Sequence, residues 1–131
     1  QLKQHPKIRY HGSVPNDEIR KALQSAHVFA YPSIWQETSC IALIEAMSAG
    51  CFCVHPNYAA LPETAANETI MYQWDEDVQV HANRAYEHLK GIVEYIDKHG
   101  MPDMAKQKNS TNQAFNWGLR VNQWTQFLSS F

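Results

Sequence analysis

Apolar residues along this chain follow two rhythms. Short solid runs, VFAY at 28–31, CFCVH at 51–55 and TIMY at 69–72, alternate with stretches where apolar positions recur every three or four residues. The first two runs are closed by Pro32 and Pro56. Those two predict buried strands, VFAY covered on both faces, the mark of a parallel sheet, and TIMY a last short strand. The β-prone KIRYHG at 7–12, stopped by Gly12, predicts a further short strand.

The periodic stretches predict helices. In one, Asn16 is placed as an N-cap with Asp17 and Glu18 in the first turn, and Ile19, Ala22, Leu23 and Ala26 share a face. A second runs from about Ser39 to Ala49 and ends at Gly50 as its C′ residue. LPETAAN at 61–67 gives a turn or two, and a long amphipathic helix covers Val78 to about His99 before Gly100 and Pro102 break it. The terminal stretch STNQAFNWGLRVNQWTQFLSSF predicts one helix whose stripe is Trp117, Val121, Trp124, Leu128 and Phe131. Alternation of strands and helices with short connections implies one α/β domain, a Rossmann-like parallel sheet with flanking helices. No internal repeat or low-complexity linker interrupts it.

Composition narrows the function classes. At 131 residues, 44% apolar and 18% charged, the chain is globular and fills a single domain. Its net charge of −2, with Lys and Arg scattered singly, gives no nucleic-acid footprint. No apolar run approaches the ~20 residues of a membrane span. The N-terminal QLKQHPKIRY lacks the apolar region of a signal peptide. Cys40, Cys51 and Cys53 are an odd set without a C-x2-C spacing, for which a reducing cytoplasm is the simplest environment. The seven His form neither H-x3-H nor H-E-x2-H, so no metal site is expected.

The candidate chemistry lies in WQETSCIALIEAMSAG at 35–50. In open parallel sheets, ligands bind outside the carboxyl ends of the strands. This loop leaves such an end and enters a helix N-terminus, whose free amides and dipole favour an anion such as a diphosphate. Glu37 stands just before those amides, where its carboxylate can accept from neutral hydroxyl groups beside the phosphate. Glu45 lies about two turns into the helix among Leu43, Ile44 and Met47, where a charge requires a partner. A ribose diol would satisfy both its oxygens, and so would a nearby Lys or Arg. The E-x7-E spacing alone does not decide between these. With eight Glu in the chain, about half of one such pair arises by chance, and Glu68 with Glu76 forms a second.

VFAYPSIWQETSCIALIEAMSAGCFCV followed by NYAALPET resembles the C-terminal domain of retaining glycosyltransferases of the GT-B fold. The matching features are Pro32-Ser33 after a strand, Glu37 and Glu45 as E-x7-E, and Glu45-Ala46-Met47 with Gly50 before the next strand. IRYHGSVPNDEI is similar to the family's preceding strand-Gly-x-Val-helix unit, and FNW to its closing helix, so the resemblance spans nearly the whole chain. It implies that Glu37 contacts the donor sugar and Glu45 the ribose. The amides of Thr38, Ser39, Cys40 and Ile41 would hold the sugar and diphosphate, with Val14 near the base. The donor is then a nucleotide-diphosphate sugar, with no cofactor and no metal required, and the acceptor is an unspecified glycan, lipid or protein.

The pattern also departs from the family. Many relatives have Gly-Phe-Gly after the first Glu where this chain has Thr38-Ser39-Cys40. The basic pair that neutralises the diphosphate, about two strands and the N-terminal acceptor domain have no counterpart here. Residues 1–131 therefore resemble an incomplete C-terminal domain, a fragment of a larger transferase that is inactive alone. With family strand order 3-2-1-4-5-6, VFAY would be strand four with an open edge. That edge predicts pairing with another copy, with missing chain, or with KIRYH moved beside it. Two alternatives remain: a non-catalytic α/β nucleotide-binding or assembly module, or a related GT-B epimerase or phosphorylase. The phosphorylase would need a pyridoxal Lys, for which no strong candidate is present.

Overall fold

A computed structural model describes residues 5–131. Residues 1–4, the start of the QLKQHPKIRY stretch that lacks an apolar signal-peptide region, lie outside the described residues. The chain runs α1 (Asn16–Ser25), β1 (Val28–Ala30), α2 (Ile41–Ala49), β2 (Phe52–Pro56), α3 (Leu61–Ala65), β3 (Ile70–Tyr72), α4 (Val78–His99), α5 (Ala105–Ala114) and α6 (Trp117–Leu128). The strands form one parallel sheet in the order β1-β2-β3, with Val28 opposite Phe52 and Val54 opposite Ile70. This is the expected α/β, Rossmann-like arrangement with helices on both faces.

Alternation along β2 builds two cores, because successive side chains leave a strand on opposite faces. Cys51 and Cys53 join Leu43, Ala46, Met47, Leu61 and Ala65 under α2 and α3, with Leu23, Phe29 and Tyr31 against them. Val54 instead meets Tyr72 and Ile92 beneath α4, flanked by Val28, Phe52 and Leu89. The three cysteines are buried free thiols, and burial pushes Cys53 well above the ordinary thiol range. Among the described residues, no helix is long and apolar enough to cross a membrane.

Four expectations need correction. KIRYH forms no strand: residues 5–12 are exposed and irregular. A strand exists only by pairing, and among the described residues β1 is bonded to β2 alone, so KIRYH does not close its edge. For the same reason β1 is not buried on both faces, since Ala30 is exposed and Val28 and Phe29 are only partly covered. Asn16 is the first helical residue rather than the cap, a place taken by Pro15. Finally, the terminal stretch belongs to two helices, broken at Phe115 and Asn116.

The α6 stripe exists but is not covered: Trp117 is 85% exposed, Trp124 61% and Phe131 92%. Helix α5, whose first half lies before the stretch predicted to be helical, packs on α2 through polar residues. Buried Gln107 donates from Nε2 to the carbonyl oxygens of Cys51 (2.9 Å) and Met47 (3.3 Å). These carbonyls lie at the α2 terminus, where Gly50 takes the expected left-handed conformation (φ 91°) and its N–H and that of Cys51 bond back to Met47 and Ala46. Glu68, from the second E-x7-E pair, is bound to Lys106 of α5 at 3.0 Å.

Candidate functional site

The carboxyl end of β1 opens into the loop 31–40. Its path is fixed at several points. The Tyr31 N–H still bonds to the Val54 carbonyl of β2 (2.9 Å), and Ser33 Oγ accepts from the Trp35 N–H (3.1 Å). The Glu37 N–H bonds to the Trp35 carbonyl (3.0 Å), and the Glu37 carbonyl accepts from Ala60 N–H (3.2 Å) at the end of the β2–α3 loop. Glu37 is thus held at the sheet's carboxyl edge, half-buried, between two strand-to-helix loops.

Its side chain has a partner the sequence did not disclose. The Tyr31 hydroxyl donates to Glu37 Oε1 at 2.7 Å. That bond, with burial second, pushes the Tyr31 phenol up to about 12. Beneath the same loop is buried His81, whose Nε2 lies 3.3 Å from the Pro32 carbonyl oxygen and 3.3 Å from the Tyr72 hydroxyl. The Nδ1 of His81 is buried without a hydrogen-bond partner among the described residues. No motif flagged either residue, since Tyr31 reads as strand apolar and His81 as one of several dispersed histidines. The position of Tyr31 six residues before Glu37, at the end of a strand, was the available signal.

The amides differ from expectation by about one helical half-turn. Helix α2 starts at Ile41, and Cys40 is its N-cap. Thr38 and Ser39 are exposed loop residues, whereas the Cys40 side chain is buried in the core. The first helical bond runs from Ile44 N–H to the Cys40 carbonyl (3.1 Å), and among the described residues no side chain caps the amides before it. The free donors at this terminus are therefore those of Ile41, Ala42 and Leu43. Of the four residues predicted, Cys40 and Ile41 sit at the helix start, and Thr38 and Ser39 do not.

Glu45 sits one turn into α2, its side chain 19% exposed. Asn16 Nδ2 donates to its two oxygens (3.2 and 3.3 Å), and Arg20 Nε to Oε1 (3.3 Å). The charge on this apolar helix therefore has protein partners, both from α1. Three bonds leave Oε2 with room for another donor, because a carboxylate offers about four acceptor sites. Asn16 follows Val14 by two residues, so the half-buried Val14 lies on the loop that leads to Glu45. That loop and α1 border a cavity of about 730 Å³ lined by Gly12, Ser13, Val14 and Leu23. Arg20, Glu45, Ser48, Lys108 and Asn112 line a second, polar cleft of about 440 Å³ between α1, α2 and α5. Among the described residues, no group of His, Cys, Asp and Glu is arranged to hold a metal ion.

Neither the curated proteins nor the solved structures compared with this chain gave a match. Residues 1–108, which contain the sheet, both glutamates and α1 to α4, match the family described as glycosyl transferases group 1. The chain belongs to that family of glycosyltransferases.

Proposed function

We propose that residues 1–131 form the donor-binding part of a retaining GT-B glycosyltransferase. The donor is a nucleotide-diphosphate sugar, bound at the carboxyl edge of the parallel sheet. Glu37 accepts from sugar hydroxyls, and the amides opening α2 hold the diphosphate. Glu45 takes a ribose hydroxyl through Oε2, with the Val14 loop beside the base. The dipole at the α2 terminus stabilises the diphosphate as it leaves. The transferred sugar passes with retention to an acceptor held by a further domain. The observation that carries this reading is the joint placement of Glu37 and an uncapped helix N-terminus at one strand end, in a chain of this family.

The test is calorimetry on the full-length protein with UDP, GDP, UDP-glucose and GDP-mannose. Glu45→Gln should weaken nucleoside-diphosphate binding by ~1.5–3 kcal/mol, the range for a hydrogen bond to a charged group. Glu37→Ala should depress turnover far more than diphosphate affinity. Equal losses of both in the two variants would refute the division of labour.

One observation favours a second reading, a structural Glu45 in a non-catalytic module: Asn16 and Arg20 already bind it. On that reading, Glu45→Gln lowers thermal stability and leaves nucleotide affinity unchanged.

A further inference from the structure

We propose that Tyr31 is a positioning residue for Glu37, fixing through its hydroxyl the carboxylate that meets the donor. The inference rests on the sugar-binding role of Glu37 proposed above and adds a residue to it.

The backbone of Glu37 is pinned on both sides, by the Trp35 carbonyl and the Ala60 N–H. What remains free is the side chain, with three rotatable bonds and two equivalent oxygens. A flexible carboxylate would lose entropy on each encounter with a sugar. The 2.7 Å bond from Tyr31 selects one rotamer and one oxygen. Tyr31 can do this because it is itself rigid. Its N–H is in the sheet ladder to Val54, its ring stacks on Phe29 with centroids 5.7 Å apart, and the adjoining Pro32 carbonyl faces His81.

The direction of the bond also matters. A carboxylate only accepts, so the phenol donates. The carboxylate bond and burial keep the phenol protonated far above neutral pH. One lone pair of Oε1 is thereby occupied, and the remaining acceptor sites of the carboxylate stay open to other donors. Glu37 then presents a fixed acceptor to hydroxyl donors.

The experiment compares Tyr31→Phe, Glu37→Gln and the double variant in the full-length protein, with UDP-glucose and GDP-mannose as donors. Phe retains the stack on Phe29 and removes only the hydroxyl. Tyr31→Phe should lower kcat about tenfold, the scale of one charge-assisted bond, and change Kd for UDP or GDP less than about twofold. The double variant should be no slower than Glu37→Gln. Full kcat in Tyr31→Phe, or losses that multiply in the double variant, would overturn the proposal. A parallel thermal-unfolding cycle reads the contact without activity: Tm losses should be less than additive. If neither donor nor nucleotide binds the parent protein, the donor-site reading fails and the role at a sugar fails with it. Additive Tm losses alongside intact nucleotide binding would instead overturn only the positioning role.

Discussion

His55 shows how one residue in this fold ties local chemistry to stability. It is fully buried in β2, with Nδ1 2.9 Å from the Pro56 carbonyl oxygen and Nε2 2.8 Å from Thr69 Oγ1. The carbonyl only accepts, so Nδ1 carries the proton and Nε2 accepts from the Thr69 hydroxyl. Burial holds this imidazole below its ordinary range. Below about pH 6.5 the unfolded chain binds a proton here that the folded chain refuses, so stability falls with pH, while above that value it is flat. Urea midpoints should therefore drop between about pH 7.5 and about pH 5.5, and His55→Gln should reduce that drop; an unchanged slope in the variant would assign the effect elsewhere. Residues of this kind were poorly legible from sequence. Glu37 and Glu45 stood out because a charge in an apolar stretch demands an explanation. Tyr31, His55 and His81 blend into strand and helix patterns, and their roles come from neighbours distant in the chain. Tyr31 meets Glu37 only because the strand end and the loop turn back on each other.

Among the elements, α2 carries the candidate site at its N-terminus, and its two ends are built differently. Among the described residues no side chain caps the N-terminus, whereas the C-terminus is locked by left-handed Gly50 and by Gln107 from α5. Gly50→Ala has room for its Cβ, whose nearest contact is 3.9 Å from Met104. It should still cost about 1–2 kcal/mol through backbone strain, readable as a shift in the denaturation midpoint. Gln107→Ala should cost about 1–3 kcal/mol by removing bonds to two buried carbonyls, and loss of less than this would show that water replaces the amide. The N-terminus of α4 contrasts with that of α2, because Asp77 accepts from the N–H groups of Gln79 and Val80. Periodicity located α4, from Val78 to about His99, since Ala85, Leu89, Ile92 and Ile96 make a long apolar stripe on the face that meets the core. It missed the first half of α5 because that helix buries Gln107 and Thr111 rather than a hydrophobic stripe. It placed a strand at KIRYH because β-prone composition was read without a partner to pair with. Propensity describes what a segment can do, and only pairing decides it.

At the scale of the whole molecule, much apolar surface lies outside the two cores. Trp117, Val121, Trp124, Phe127 and Leu128 are all more than half exposed on α6, a patch of the kind that binds hydrophobic dyes. The 131-residue chain should enhance fluorescence of the dye ANS strongly, and Trp124→Glu should reduce the signal without changing helical circular dichroism. Equal signal in the variant would place the dye elsewhere. The sheet adds a second consequence, in the rate at which its peptide hydrogens trade with solvent. Tyr31 N–H and the His27 carbonyl both bond to β2, so in β1 the odd-numbered peptide groups face the ladder and the even-numbered ones face outward. In deuterated water, Phe29 and Tyr31 should then keep their hydrogens long after Val28 and Ala30 have lost theirs. That two-beat pattern over neighbouring residues is the signature of a strand with one neighbour. If another strand, from a second copy or from chain beyond this segment, comes to lie along the same edge, Val28 and Ala30 slow to match Phe29 and Tyr31, and the beat disappears.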